Sequence, residues 1–436
     1  KVDDEFESIK YLISTKDKKI NFDLDMNLDK TDFEVNFFNY KKNNKIDTQL
    51  KIDGYYEHDK NLFLNNWQLI CHVSNINDPG DYFTFDIFNE RLIAVRNEDN
   101  KINVFHNVCS HRATKLLDDT NGNCGKRINC PYHAWSYDLS GNLKNVPHQE
   151  QFKNFNKADN GLRPVEMEIF QGFIFAKILA NNIPSVADQF KPYLKEIEPY
   201  NFESLQPLGR VTMRHRDVNW KQIADNYVDA MHIPIAHPGL SGLVGNSYGT
   251  EVSNNGGYIH KMWGDLNKTR KNILSNTLYK KFLPKVKNLS ADKQMYWAYY
   301  RLWPNLAFDV YPDQMDFMQF IPISASKTII REIPFALKDD RREMQAARYL
   351  NWRINRQVNS EDTQLINWVQ EGMETSGFNK GPLAESEVCL IDSNNKIRKA
   401  IPVANKDIEP SAKEISSINT ELLERNISLE KIQKIY

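Results

Sequence analysis

Phe105-His-Asn-Val-Cys-Ser-His-Arg-Ala113 and Cys130-Pro-Tyr-His-Ala-Trp-Ser-Tyr137 decide how this chain is read, with 18 residues between His111 and Cys130. Each segment offers one thiol and one imidazole: Cys109 with His111, then Cys130 with His133. A zinc finger ordinarily groups its cysteines in one pair and its histidines in the other. One of each per loop suits a two-iron cluster, in which one iron takes both sulfurs and the other both nitrogens. Neutral imidazoles lower the negative charge around such a cluster and raise its potential above that of four-thiolate ferredoxins. Zinc, or side chains that merely pack, are the competing readings. Cys71, Cys124 and Cys389 read as buried or free thiols.

Around the two loops the pattern is that of short strands. Trp67–Val73, Tyr82–Phe88, Arg91–Arg96 and Ile102–Val108 are apolar or alternating runs, and Glu98–Lys101 is the turn between the last two. Ser136–Leu143 reads as strand-turn-strand, and Phe173–Ile178 closes the region, so a small antiparallel sandwich or barrel is expected over 61–178. Residues 1–60 are polar and read as an N-terminal arm, with one alternating patch at Phe33–Phe37.

Further on, a helix is expected over 185–198 and a strand over 211–217. Four antiparallel strands follow at 295–303, 306–311, 316–321 and 327–334, then helices over 339–358 and 360–373. Strands followed by helices predict an α+β unit over 179–436, a long helix covering an antiparallel sheet. Six glycines between Gly239 and Gly257 read as a long mobile loop, of the kind that forms lids.

Within the second unit lies Asn219-Trp-Lys-Gln-Ile-Ala-Asp-Asn-Tyr-Val-Asp-Ala-Met-His-Ile-Pro-Ile-Ala-His-Pro-Gly239. On one helix, Asp225, Asp229 and His232 would share a face. An unbroken helix would turn His237 about 140° away from His232. Pro234 breaks it, so both imidazoles can share a metal, with Asp229 behind them. A polar helix surface with two unrelated histidines is the alternative. Downstream, Glu361 and Asp362 are neighbouring carboxylates that periodicity does not separate, and either could instead cap a helix.

Composition narrows the field. The 436 residues carry 56 Lys+Arg against 57 Asp+Glu, a net charge of -1 that argues against nucleic-acid or polybasic membrane binding. Hydrophobic residues make up 41%, enough for a sizeable core. No apolar run is long enough for a transmembrane helix, the acidic start has no signal-peptide core, and a cytoplasmic location is expected.

Together, the segments 105–113, 130–137 and Asn219–His237 make the chain resemble the large (α) subunit of the Rieske non-haem iron oxygenases, over Trp67 to about Gly381. Ser110-His-Arg and Pro131-Tyr132 lack the extra cysteine that cytochrome-complex Rieske proteins carry in each loop, and the 18-residue gap is slightly longer than most members show. The resemblance implies an N-terminal all-β Rieske [2Fe-2S] domain on Cys109, His111, Cys130 and His133, and a C-terminal helix-grip catalytic domain. It implies that His232, His237 and Asp362 hold a mononuclear Fe(II) as a facial triad with positions open for O₂ and substrate. It also implies that Asp229 links His232 to His133 of a neighbouring subunit, in a homotrimer, while Asn226 and Asp225 lie near the iron. No flavin or nucleotide fingerprint is present, so electrons are expected from a separate NAD(P)H-dependent reductase or ferredoxin. The expected reaction is hydroxylation of a small organic substrate, an aromatic ring first, with a betaine-like quaternary amine or methyl group as the alternative. Tyr296, Trp297, Tyr299, Trp303, Phe308, Tyr311 and Phe317 are candidates to line the pocket, most of them expected in the core.

Overall fold

Alternation along the strands and one long amphipathic helix set the architecture of the computed structural model, which describes residues 59–245, 247–268, 273–378, 381–405 and 412–433. It also describes the backbone of four short strands, Ile9–Lys16 paired with Lys19–Met26 and Phe33–Val35 paired with Tyr40–Lys42. The rest of the expected N-terminal arm up to residue 58 lies outside the described residues.

The first unit is all β. Ile102–His106, Glu90–Arg96, Asp81–Ile87 and Asn121–Asn123 form a four-stranded antiparallel sheet in that order. Glu166–Phe170, Phe173–Lys177 and Gln68–His72 form a second, and Arg127–Asn129, Ser136–Asp138 and Leu143–Asn145 a small third one. Cys109 follows a strand of the first sheet, and Cys130 sits in the hairpin of the third.

The second unit is an eight-stranded antiparallel sheet. Its central strands are Ile259–Asp265, Tyr296–Leu302, Leu306–Val310, Met315–Ser324 and Lys327–Ala336, with Thr212–Arg216 and Gly249–Val252 at its edges. The helix Arg342–Met373 covers one face and buries Met344, Ala347, Leu350, Ile354 and Ile366. At 1.5 Å per residue it is about 48 Å long. The two helices expected over 339–373 are therefore one. Asn359 and Ser360 do not interrupt it, and Thr363 Oγ1 donates to the Asn359 carbonyl at 2.7 Å inside it.

The two units share a core. Phe63, Ile70, Phe83 and Ile174 pack with Val218, Trp220, Phe320 and Ile330. The fully buried Arg331 donates to Leu69 O at 3.0 Å and to Gln319 Oε1 at 2.8 Å, fastening a strand of the first unit to the large sheet.

The glycine-rich stretch is not a loop. Pro238–Val244 is a helix with Leu240, Leu243 and Val244 buried, and Gly249–Val252 is a strand paired with Ile259–Asp265. Its glycines include close-packing positions: a Cβ on Gly249 would stand 2.4 Å from the Trp263 ring. The mobile lid is thus replaced by ordered elements that wall the site.

Candidate active site

Asn219 caps the helix Trp220–Val228 by accepting the Lys221 N–H at 3.0 Å. The helix stops at Asp229, which is extended (φ -75°, ψ 122°). Its carboxylate accepts the Met231 N–H at 2.7 Å, a local bond that competes with the helical one. Asp229 and His232 therefore do not share a helix face as expected; they meet across a turn. Pro234 stands in the first turn of a new helix, Ile233–Ala236, where a missing N–H costs nothing.

That turn brings three ligand atoms together. His232 Nε2 lies 3.1 Å from His237 Nε2 and 3.5 Å from Asp362 Oδ1, and His237 Nε2 lies 2.9 Å from Asp362 Oδ1. Of the described residues, these three form the one His/Cys/Asp/Glu group whose ligand atoms, all within 4.8 Å of one another, could share a single metal ion. The outer nitrogens are held as well, His232 Nδ1 by Asp229 at 3.0 Å and His237 Nδ1 by Glu361 at 2.8 Å. Asn226 Nδ2 donates to Asp362 Oδ1 at 3.1 Å. Burial pulls the His232 imidazole down, yet Asp229 and Asp362 outweigh it and hold it up to about 9. Burial raises Asp362, but the two imidazoles draw it down to about 2. Both carboxylates of the Glu361–Asp362 pair are thus engaged, one on each nitrogen of His237, and neither caps a helix. Asp225 lies off the cavity that this group borders.

The cavity measures about 1060 Å³. Tyr227, Tyr248, Tyr299, Phe320, Asp309 and Asp316 line it, alongside Arg214 and Glu332 at one edge. Of the seven aromatic candidates only Tyr299 reaches it; the other six are core or wall elsewhere. Asp309 and Asp316 were not anticipated. The available signal was a carboxylate in Leu306-Ala-Phe-Asp-Val310, a strand that is otherwise apolar and wholly buried.

The cysteine/histidine loops share one backbone turn. Cys109 N donates to Thr114 O at 2.8 Å and Ala113 N to Cys109 O at 3.0 Å, while Cys130 N donates to Trp135 O at 2.8 Å and Ala134 N to Cys130 O at 3.1 Å. Ala113 and Ala134 both take positive φ, 56° and 54°. Both cysteines are buried, and the His111 and His133 ring centroids lie 4.7 Å apart. His111 stacks on Trp135 at 4.7 Å, and its buried Nδ1 has no hydrogen-bond partner. Burial raises the Cys109 thiol, and Tyr137 Oη stands 3.2 Å from its sulfur. Two soft sulfurs, two imidazoles and an orphaned ring nitrogen fit a metal cluster.

A family model for the ring hydroxylating alpha subunit (catalytic domain) matches residues 202–402, and one for the Rieske [2Fe-2S] domain matches residues 66–156. The carnitine monooxygenase oxygenase subunit of Escherichia coli (strain K12) is 31% identical over 343 residues, covering 74% of this chain and 82% of that protein. The chain is a Rieske oxygenase α subunit. As such it is an oxidoreductase that carries a Rieske cluster and a mononuclear iron. A quaternary ammonium Rieske monooxygenase has the same fold at 22% identity, with a TM-score of 0.67 over 80% of this Rieske oxygenase and 93% of that chain. A variant of naphthalene 1,2-dioxygenase with phenanthrene bound shares it equally, at 22% identity and a TM-score of 0.64 over 85% and 94%. Fold alone therefore does not choose the substrate. Among the described residues, no helix is long and apolar enough to cross a membrane.

Proposed function

We propose that this Rieske oxygenase is a cytoplasmic terminal oxygenase that hydroxylates a carbon bonded to the nitrogen of a small quaternary amine. The convergence of His232, His237 and Asp362 on the wall of the cavity carries the reading. His232, His237 and Asp362 would hold the mononuclear iron, and Cys109, Cys130, His111 and His133 the cluster, in domains spanning 179–436 and 61–178 behind an arm over 1–60. Bound there, the two centres supply single electrons and activate dioxygen for insertion into a C–H bond. A separate NAD(P)H-dependent reductase delivers those electrons.

The protein's own groups do the positioning. Asp229 and Glu361 lock the outer nitrogens of the two histidines, which fixes ring orientation and raises ligand basicity. Asn226 orients Asp362. Asp229 is part-exposed beside Met231 (56% exposed) and Ile235 (87%), while the cluster loop presents an exposed Tyr132 and His133. Two such surfaces on one chain suit head-to-tail contact in a homotrimer, with Asp229 of one copy meeting His133 of the next.

The cavity favours the amine over an aromatic ring. Phenol faces and buried carboxyls wall it, groups that attract a cation, and the carnitine-oxidising relative points the same way. Hydroxylation beside the nitrogen forms a carbinolamine, whose C–N bond breaks to release an aldehyde, a proton and the tertiary amine. A panel of quaternary amines and small aromatics, run with reductase, NADH and O₂, tests this. Aldehyde and tertiary amine are the expected products; ring-hydroxylated products alone would reverse the assignment.

A further inference from the structure

Asp309 and Asp316 are cross-strand partners on the cavity face of the sheet, in the row Tyr299–Asp309–Asp316–Pro334. All four line the cavity, and both carboxyls are at least nine-tenths buried. Two carboxylates this close do not both ionise; one proton is shared between them. The hydrogen bonds decide where the charge rests. Tyr227 Oη donates to Asp309 Oδ1 at 2.5 Å and Tyr311 Oη to Asp309 Oδ2 at 3.2 Å, whereas Asp316 faces Asp309 across the strand pair. Asp309 is the carboxylate and Asp316 the acid that donates to it. Burial lifts both carboxyls, Asp309 to about 6 and Asp316 well above the carboxylate range, in keeping with that order.

The surrounding hydroxyls add no charge. Burial and the Asp309 charge hold Tyr227, Tyr299 and Tyr311 well above their ordinary range, so all three stay neutral. Tyr248 lies tilted against Tyr299, centroids 6.1 Å apart, and lines the same cavity as the pair and the histidine site. Arg214 faces Asp316 but is ion-paired with Glu332. Arg214 and Arg216 lie three strands from Asp309 in the sheet, about 14 Å at the usual strand spacing. Arg348 is committed to the Asp313 and Leu337 carbonyls, and Arg356 lies over Trp352.

This wall offers one negative charge whose two oxygens already hold hydrogen bonds. A protonated primary amine placed against it would lose water and find both Asp309 oxygens already taken. A tetraalkylammonium group has no N–H to satisfy; it needs only charge and polarisable faces. Resting on the quaternary-amine reading above, we propose that the Asp309–Asp316 pair, held by Tyr227 and Tyr311, is the specificity-determining anion of the cavity. It selects a tetraalkylammonium group over protonated amines and over neutral molecules of the same shape.

Equilibrium titration of the holoenzyme with tetramethylammonium, methylammonium and neutral tert-butanol tests this. Wild type should bind tetramethylammonium at least tenfold more tightly than either of the others. Asp309→Asn, with cluster absorbance retained as the sign of folding, should lose that preference tenfold or more and leave tert-butanol binding unmoved. Asp316→Asn, which keeps both the donor and the net charge, should lose less than threefold. Equal tetramethylammonium binding by wild type and Asp309→Asn, or an equal loss in both variants, overturns the role of the pair alone. A wild type that binds tetramethylammonium no better than tert-butanol overturns the quaternary-amine reading too, and that result needs no variant to fold.

Discussion

His237 is gripped on both ring nitrogens, by Glu361 at 2.8 Å and Asp362 at 2.9 Å. Neighbouring residues on a helix point about 100° apart, so the two carboxylates straddle one imidazole. Only Asp362 shares its oxygen with His232 as well. Asp362→Ala or His232→Ala should therefore abolish product formation and mononuclear iron while the cluster spectrum persists; iron counting and absorbance check this together. Glu361→Gln keeps the shape but weakens the support, and iron affinity should fall about 10–100-fold. A metal titration with the cluster intact reads that loss. The histidine pair and the carboxylate pair were visible in the sequence, but the division of labour between Glu361 and Asp362 was not. It depends on which side of His237 the helix passes.

At the scale of elements, Trp220 opens the site helix, is fully buried, and meets Phe63 edge-on at 4.9 Å. It ties that helix to the segment leading into the first unit. Trp220→Ala should cost about 3–5 kcal/mol, measurable by denaturant unfolding, and should loosen the iron site with it. The helix was legible from its apolar spacing, though its end was not. Asp229 accepting the Met231 N–H ends it ahead of Pro234, which opens the next helix instead. The Gly239–Gly257 stretch misled for a related reason. Glycine marks flexibility and close approach alike, and only the neighbouring Trp263 ring shows which applies at Gly249.

At the scale of the whole molecule, the proposed meeting of Asp229 of one copy with His133 of the next makes a distinct prediction. Mixed oligomers of a His133→Ala copy and a His232→Ala copy should recover activity that neither variant has alone, read by product formation after co-expression. Stability should also carry the mark of the buried Asp313, whose carboxyl burial pushes up to about 6 although Tyr279 Oη donates to it at 2.6 Å. A raised folded-state pKa means its stabilising contribution is complete below about pH 4 and is lost as pH rises through 6. Between pH 4 and 7.5, Asp313→Asn should gain about 3 kcal/mol relative to wild type, by urea unfolding at each pH. By itself the sequence determined the two-unit plan, the paired cysteine/histidine loops, the His232–His237 pair and the family, because residue spacing and strand alternation are local properties that survive any packing. The row Tyr299–Asp309–Asp316, the Glu361 contact and the walls of the cavity were decided by tertiary structure alone. They join residues from separate strands and helices, and no local pattern records which buried carboxyl will face which phenol.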